Sequence, residues 1–386
     1  MQSGRGRNFP LRSLMTELYI HNGRDVSGAP VAVLITDGVI AEVGTELTVP
    51  VGCPTLDAQG CYITAGWIDD HTHCNAHAAL YYDDADAIGY RTGVTTVIDA
   101  GSTGADNVAD LYQQAHRAAT NVYALLNIAR TGIVAQDELA DLNQLSFSAL
   151  RTAIQRYPDF IVGLKVRVSK SVVGDNGVEP LRVAKQYQAD LTAQLPLMVH
   201  IGSNPPELAA IIALMRPGDV LTHCFNGKPN GIVNSTGEVA QYVRKAYQKG
   251  LIFDVGHGTD SFSFRTAALA RTAHLFPQTL SSDIYYRNRL NGPVYSLAVC
   301  VEKLLLLGYR LEEIIPMITT NPARIFKLTH KGQLCRGYDA DLTIFQTVTA
   351  PQIVVDSTGE ERIAPTQVIP TYSVIAGRVY TCGVDK

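Results

Sequence analysis

The chain has 386 residues, of which 46% are hydrophobic and 18% charged, with a formal net charge of -4. That length accommodates one large domain and a smaller companion, and the apolar share argues for a large buried core rather than disorder. The slightly negative balance argues against nucleic acid or an anionic membrane as the main partner, and no apolar stretch reaches the ~20 residues that span a bilayer.

Residues 1–15 carry Arg5, Arg7 and Arg12 but no apolar core of a secretory signal. Residues 1–14 read as a mobile extension, or as chain upstream of a native start at Met15. The next segments read as strands: Leu18–Ile20, Val31–Ile35 and Val39–Val43, separated by the turn signals Asn22-Gly23 and Asp37-Gly38. Tyr62–Ala65 is a short apolar run between Gly60 and Gly66, as expected of a buried parallel strand, and leads into Asp69-Asp70-His71-Thr72-His73. Further strand candidates are Val94–Asp99, Val122–Ile128, Phe160–Val168, Leu197–His200, Asp219–His223, Leu251–Val255 and Thr279–Asp283. Helix-like segments intervene, among them Asp106–Ala119, Pro206–Met215, Gly237–Lys249 and Pro293–Gly308. Ala340–Phe345, Gln352–Val355 and Tyr372–Ala376 are strand-like again.

This order predicts an α/β fold: a (β/α)8 TIM-type barrel over residues 63–330, with a small β-sandwich built from residues 1–62 and 331–386. An open doubly wound sheet is the lesser alternative, because no Gly-x-Gly-x-x-Gly follows any strand. The seven cysteines (Cys53, Cys61, Cys74, Cys224, Cys300, Cys335 and Cys382) form no C-x-x-C pair. An odd, scattered set suggests reduced thiols and a cytoplasmic location. Cys74 and Cys224 adjoin candidate ligands but fall on the opposite strand face, so packing is their expected role.

In a barrel, reactive groups gather where strands end at the C-terminal face. Taken in order, those ends supply His71 and His73, Lys165, His200, His223 and Asp283. Two histidines at i and i+2 of a strand point to one face and can share a metal ion. Lys165 sits in the apolar run Val162-Gly163-Leu164-Lys165-Val166, where an ammonium is costly. A neutral lysine amine reacts with CO2 to give an anionic carbamate, whose two oxygens suit a pair of divalent cations. Ser281-Ser282-Asp283 would also suit a helix N-cap.

The pattern resembles the amidohydrolase superfamily in its binuclear, carbamylated-lysine branch. Thr319-Thr320-Asn321-Pro322-Ala323-Arg324, Gly332–Leu342 and Gly93-Val94-Thr95-Thr96-Val97 resemble that family's helix after strand 8, its re-entry into the small domain and its strand 2. Within it, Thr222–Gly227, Asp254-Val255-Gly256-His257-Gly258 and Ser281–Tyr285 resemble the amidohydrolase/deacetylase group, often called dihydroorotase-like. The resemblance implies two divalent ions, zinc being expected although manganese and iron share such ligands. His71, His73 and Asp283 would hold one ion, and His200 and His223 the other. A carbamate on Lys165 and a hydroxide would bridge them, with Asp283 as catalytic base.

Dihydroorotases carry an arginine two residues after the second histidine to clamp a carboxylate; here that residue is Asn75. The expectation is therefore hydrolysis of an amide or ester acyl group, such as acetyl, from a small carboxylated substrate. Arg167, His257, Asn226 and Tyr285 are the candidate substrate contacts, although His257 and Arg167 suit structural roles as well. The alternatives are a cyclic-amide hydrolase of dihydroorotase or hydantoinase type, a nucleobase-type deaminase, and a non-catalytic scaffold. A small molecule is the expected partner, and a homo-oligomer is compatible with the sequence.

Overall fold

The computed structural model describes residues 17–383, so the expectations for residues 1–14 lie outside the described residues. The chain opens with strands β1 (Leu18–Arg24), β2 (Pro30–Thr36), β3 (Val39–Gly44), β4 (Thr55–Asp57) and β5 (Tyr62–Ala65). Between β2 and β3, Asp37 and Gly38 take φ of 53° and 74°, the paired left-handed conformation that matches the twist of a tight hairpin.

Seven parallel strands follow: β6 (Trp67–Thr72), β7 (Val94–Ala100), β8 (Asn121–Asn127), β9 (Ile161–Val168), β10 (Leu197–Ile201), β11 (Val220–Thr222) and β12 (Ile252–Phe253). They lie side by side in sequence order. The chain ends with β13 (Leu342–Val355), β14 (Glu361–Ile375) and β15 (Arg378–Thr381).

Tyr62–Ala65 is not the first barrel strand. It pairs antiparallel with β13, Ala65 opposite Leu342, and so belongs to the terminal sheet. The barrel strand starts one residue beyond Gly66. A four-residue buried apolar run looks the same in either sheet, which is why the sequence misplaced it. The terminal strands form one eight-stranded sheet, in the order β15-β14-β13-β5-β1-β2-β3 with β4 on β1.

The expected strand Thr279–Asp283 is also irregular. It closes the barrel through isolated bridges, Thr279 with Asp254 beyond β12 and Ile284 with Thr72 of β6. Its backbone is tied in by Asp283 N to His71 O (2.7 Å) and His73 N to Ile284 O (2.9 Å). A left-handed φ of 49° at Asp283 interrupts the pleat.

Ile68, Ile98, Leu125, Val162, Met198, Val220 and Ile252, one from each barrel strand, pack together with Phe326 inside the barrel. Each such burial stabilises the fold by roughly 1.5–3 kcal/mol. Phe326 follows the helix Thr320–Ile325, where the Thr-Thr-Asn-Pro motif stands; Asn321 Nδ2 donates to Gln278 O (2.8 Å) and holds this helix against the segment entering the barrel's last position.

The Asp-Ala-Asp motif joins the two sheets. Buried Asp341 accepts from Lys331 Nζ (2.5 Å) and from Asn121 Nδ2 of β8 (2.9 Å). The turn between β13 and β14 reaches back to the barrel, where Asp356 accepts from Phe264 N (2.9 Å) and Ser357 Oγ donates to Gly258 O (3.2 Å). Among the described residues, no helix is long and apolar enough to cross a membrane.

Candidate metal centre

The six residues expected at the strand ends converge. His71 lies in β6 and His73 just beyond it; Lys165 lies in β9 and His200 in β10, while His223 follows β11 and Asp283 stands at the irregular eighth position. One nitrogen each from His71 and His223 and one oxygen of Asp283 lie within 4.8 Å of one another. Asp283 Oδ1 is 3.4 Å from His71 Nε2 and 3.2 Å from His73 Nε2. The His200 ring stands edge-on to that of His223, with centroids 4.6 Å apart. All six line one cavity of about 170 Å³. His223 and Asp283 both have left-handed backbone, with φ of 66° and 49°. Such strain in non-glycine residues persists where surrounding structure over-determines it, commonly at functional sites.

Hydrogen bonds at Nδ1 set the imidazoles. Thr222 Oγ1 donates to Asp254 Oδ2 (2.6 Å), so its oxygen receives the proton of His71 Nδ1 (2.9 Å). His223 Nδ1 donates to Gly256 O (2.6 Å), and His73 Nδ1 meets Ser102 Oγ (2.8 Å). In the His71 and His223 rings the Nε2 lone pair is left for the cavity, the orientation that outer hydrogen bonds give to metal-binding histidines. Burial holds His71 and His200 well below the ordinary imidazole range and brings His223 down to about 4. Neutral rings are the form that ligates. Burial opposes ionisation of Asp283, but the hydrogen bond from His73 and the electrostatic influence of His223 outweigh it and hold the carboxyl below its usual range.

Lys165 is 1% exposed. Its Nζ lies 3.0 Å from His71 Nε2 and 3.3 Å from Met198 Sδ, and no carboxylate among the described residues pairs with it. Burial pushes its pKa down to about 7, against the pull of Asp283. Gly101 makes room for its stem. A Cβ there would sit 2.8 Å from Lys165 Cβ and Cγ, and φ is +87°. Neutral imidazoles, an ionised carboxylate and a buried amine that gives up its proton easily are a donor set that fits divalent cations.

The residues named for substrate divide. Arg167 and Tyr285 line the cavity. Arg167 Nη1 also pairs with buried Glu138 (3.1 Å), whose pKa burial raises to about 7 despite the guanidinium. His257 and Asn226 do not line it. Both His257 nitrogens are occupied, Nδ1 by Gly258 O (2.9 Å) and Nε2 by Lys303 Nζ (2.8 Å). Lys303 is itself buried and also donates to Pro293 O and Val355 O, so the group ties the loop after β12 to the long hairpin. Asn226 Nδ2 donates to His223 O (2.7 Å) and its Oδ1 accepts from Lys228 N (2.9 Å), a turn that holds the histidine. The expected substrate contacts at His257 and Asn226 are therefore corrected to loop supports. Asn75 is also turned away, accepting from Gln114 Nε2 (2.8 Å).

Sequence reading missed Tyr81, Gln136, Lys228 and Thr259, all of which line the cavity. Lys228 makes no side-chain hydrogen bond or ion pair with the described residues. Its place five residues after His223, in the loop leaving β11, was the available signal.

A closed parallel barrel with these donors at one mouth defines a metal-dependent amidohydrolase. A family profile described as a deacetylase-like composite domain matches residues 334–381. The deacetylase of Enterococcus faecalis (strain ATCC 700802 / V583) is 50% identical over 365 residues, covering 94% of this chain and 99% of that protein. A crystal structure of an adenine deaminase superposes with TM-score 0.93 at 49% identity, over 95% of this chain and 100% of that one. A crystal structure of a dihydroorotase superposes with TM-score 0.87 at 30% identity, over 95% and 98%. The chain belongs to the deacetylase family of the amidohydrolase superfamily.

Proposed function

We propose that the protein hydrolyses an acetyl or similarly small acyl group from an amide or ester of a small carboxylate. The convergence of four imidazoles, Asp283 and the buried Lys165 amine on one cavity carries this reading. Two divalent cations, zinc in our reading, would be held by His71, His73, His200, His223, Asp283 and the Lys165 carbamate. When bound, they polarise a carbonyl and lower the pKa of water towards ~7. The carbamate forms as the neutral Lys165 amine adds to CO2 and loses a proton.

Asp283 is the general base. Its carboxylate, ionised at neutral pH and 19% exposed, reaches the cavity beside His71 and His73. It takes the proton of the attacking water as the C–O bond forms. It then delivers that proton to the leaving nitrogen or oxygen as the scissile bond breaks, releasing the acyl group as a carboxylate. Thr222, Ser102 and Gly256 O keep the three rings oriented. Lys228, with no counter-ion among the described residues, and Arg167 both line the cavity and would receive the substrate carboxylate. The cysteines are all free thiols, which supports a cytoplasmic location.

The test is a screen of N-acetyl amino acids and acetylated hydroxy acids, using metal-loaded protein grown with bicarbonate, alongside the variant Asp283→Asn. Acetate release by the wild type, lost by more than about a hundredfold in the variant while most metal stays bound, is expected. Near-normal turnover in the variant refutes the assigned base. The likeness to an adenine deaminase at 49% identity favours a second reading, hydrolytic deamination. Ammonia from adenine, with no acetate from the acyl panel, would put that reading in its place.

A further inference from the structure

The geometry points to a fixed aromatic arch, made by Tyr81 and Tyr285, that limits the size of the group admitted beside His73. This deepens the acyl-hydrolase reading above and rests on it for the reaction, although not for binding. The Tyr81 ring lies against the His73 ring with centroids 5.4 Å apart and meets Tyr285 edge-on at 5.0 Å. Each hydroxyl is anchored on a different loop. Tyr81 Oη donates to Gln136 Oε1 (2.9 Å), beyond β8, and Tyr285 Oη bonds Thr259 Oγ1 (3.1 Å), beyond β12. The chain Gln136–Tyr81–Tyr285–Thr259 thus joins loops from well-separated barrel strands, and all four residues line the cavity.

The arch is braced from behind. Arg289 makes a two-pronged pair with Asp83 (2.8 Å to each oxygen), and Tyr286 N donates to Tyr82 O (2.9 Å). A planar, two-pronged ion pair of this kind holds geometry as well as contributing energy. Asn288, fully buried, accepts from Tyr285 N and donates to Asp283 O (both 2.9 Å), so the arch keeps a set position relative to the carboxylate. Moving a ring aside would break several of these contacts at once. A longer acyl chain must therefore fit the space of about 170 Å³ as it stands.

The experiment compares wild type with Tyr285→Leu, Tyr81→Leu and Tyr285→Phe. Binding of acetate, propionate, butyrate and benzoate to the metal-loaded proteins is measured by calorimetry. Hydrolysis of the matching acyl esters is measured in parallel. We expect the wild type to bind butyrate and benzoate at least tenfold more weakly than acetate. Either leucine variant should shrink that gap at least tenfold, and Tyr285→Phe, which keeps the ring, should leave it in place. The kcat/KM ratio of butyryl to acetyl ester should move with it. Equal wild-type affinity for all four acids overturns the arch, as does an unchanged gap in a leucine variant whose metal content and Tm are intact. If one leucine variant loses metal, the other decides. A wild type that binds the acids in the expected order but cleaves none of the esters counts against the acyl-hydrolase reading and leaves the arch standing.

Discussion

Replacing Thr222 by valine removes one hydroxyl and almost no volume. Thr222 is fully buried, but a methyl group fills the space of the lost hydroxyl, so no cavity term enters. The hydroxyl links Asp254 to His71: it donates to Asp254 Oδ2 at 2.6 Å and receives from His71 Nδ1 at 2.9 Å. Asp254 is little affected, since Thr279 Oγ1 and Ser281 Oγ still donate to it at 2.8 Å. His71 Nδ1 has no such reserve. It is left as an unpaired buried donor, which costs the fold about 1–3 kcal/mol. The ring also loses what selects its tautomer and orientation. Loss of such an outer hydrogen bond typically weakens metal binding or activity about 10–100-fold, or about 1.4–2.7 kcal/mol. Competition with a calibrated chelator reads the affinity, and denaturant melts of metal-free protein read the stability. Thr222→Ser, which restores the hydroxyl, should recover most of both. Chelator curves for Thr222→Val that overlay the wild type would refute the linkage between Asp254 and the centre.

Gly101→Ala should lower stability by about 1–2 kcal/mol from the left-handed backbone alone; by crowding the Lys165 stem it should also reduce bound metal, both readable from Tm and elemental analysis. Because Lys165 titrates at about 7 rather than 10.5 in the folded metal-free protein, its reaction with labelled CO2, followed by carbon NMR, should have its midpoint near neutrality. A midpoint near the ordinary lysine value would contradict this. For the same reason the folded metal-free protein binds fewer protons than the unfolded chain between those two values, so Lys165 should make its denaturant midpoint rise with pH across that window. Lys228→Met should raise KM for carboxylate-bearing substrates about tenfold or more while leaving neutral esters within about twofold, the split expected of a lost charge-assisted contact.

Much of this molecule is local information. Alternating apolar strands and amphipathic helices are set by near neighbours, and the end of a barrel strand is by construction the mouth of the barrel. Hence His71, His73, Lys165, His200, His223 and Asp283 could be read as one set from their places in the chain, and the structure brings them to one cavity. The pairing of β5 with β13, nearly three hundred residues apart, was not local: both candidate sheets accept the same apolar run, and only the partner distinguishes them. The same holds for the charged groups. His257 is withdrawn from the cavity by Lys303, and Arg167 is shared with Glu138, each partner lying on another element. Lys228 stands free because no carboxylate among the described residues comes to meet it. Whether a polar side chain is spent on the fold or left for a ligand depends on which distant groups the fold carries to it. Chain order alone therefore specified the barrel and the donor set at its mouth, and tertiary packing chose which of the surrounding residues face the cavity.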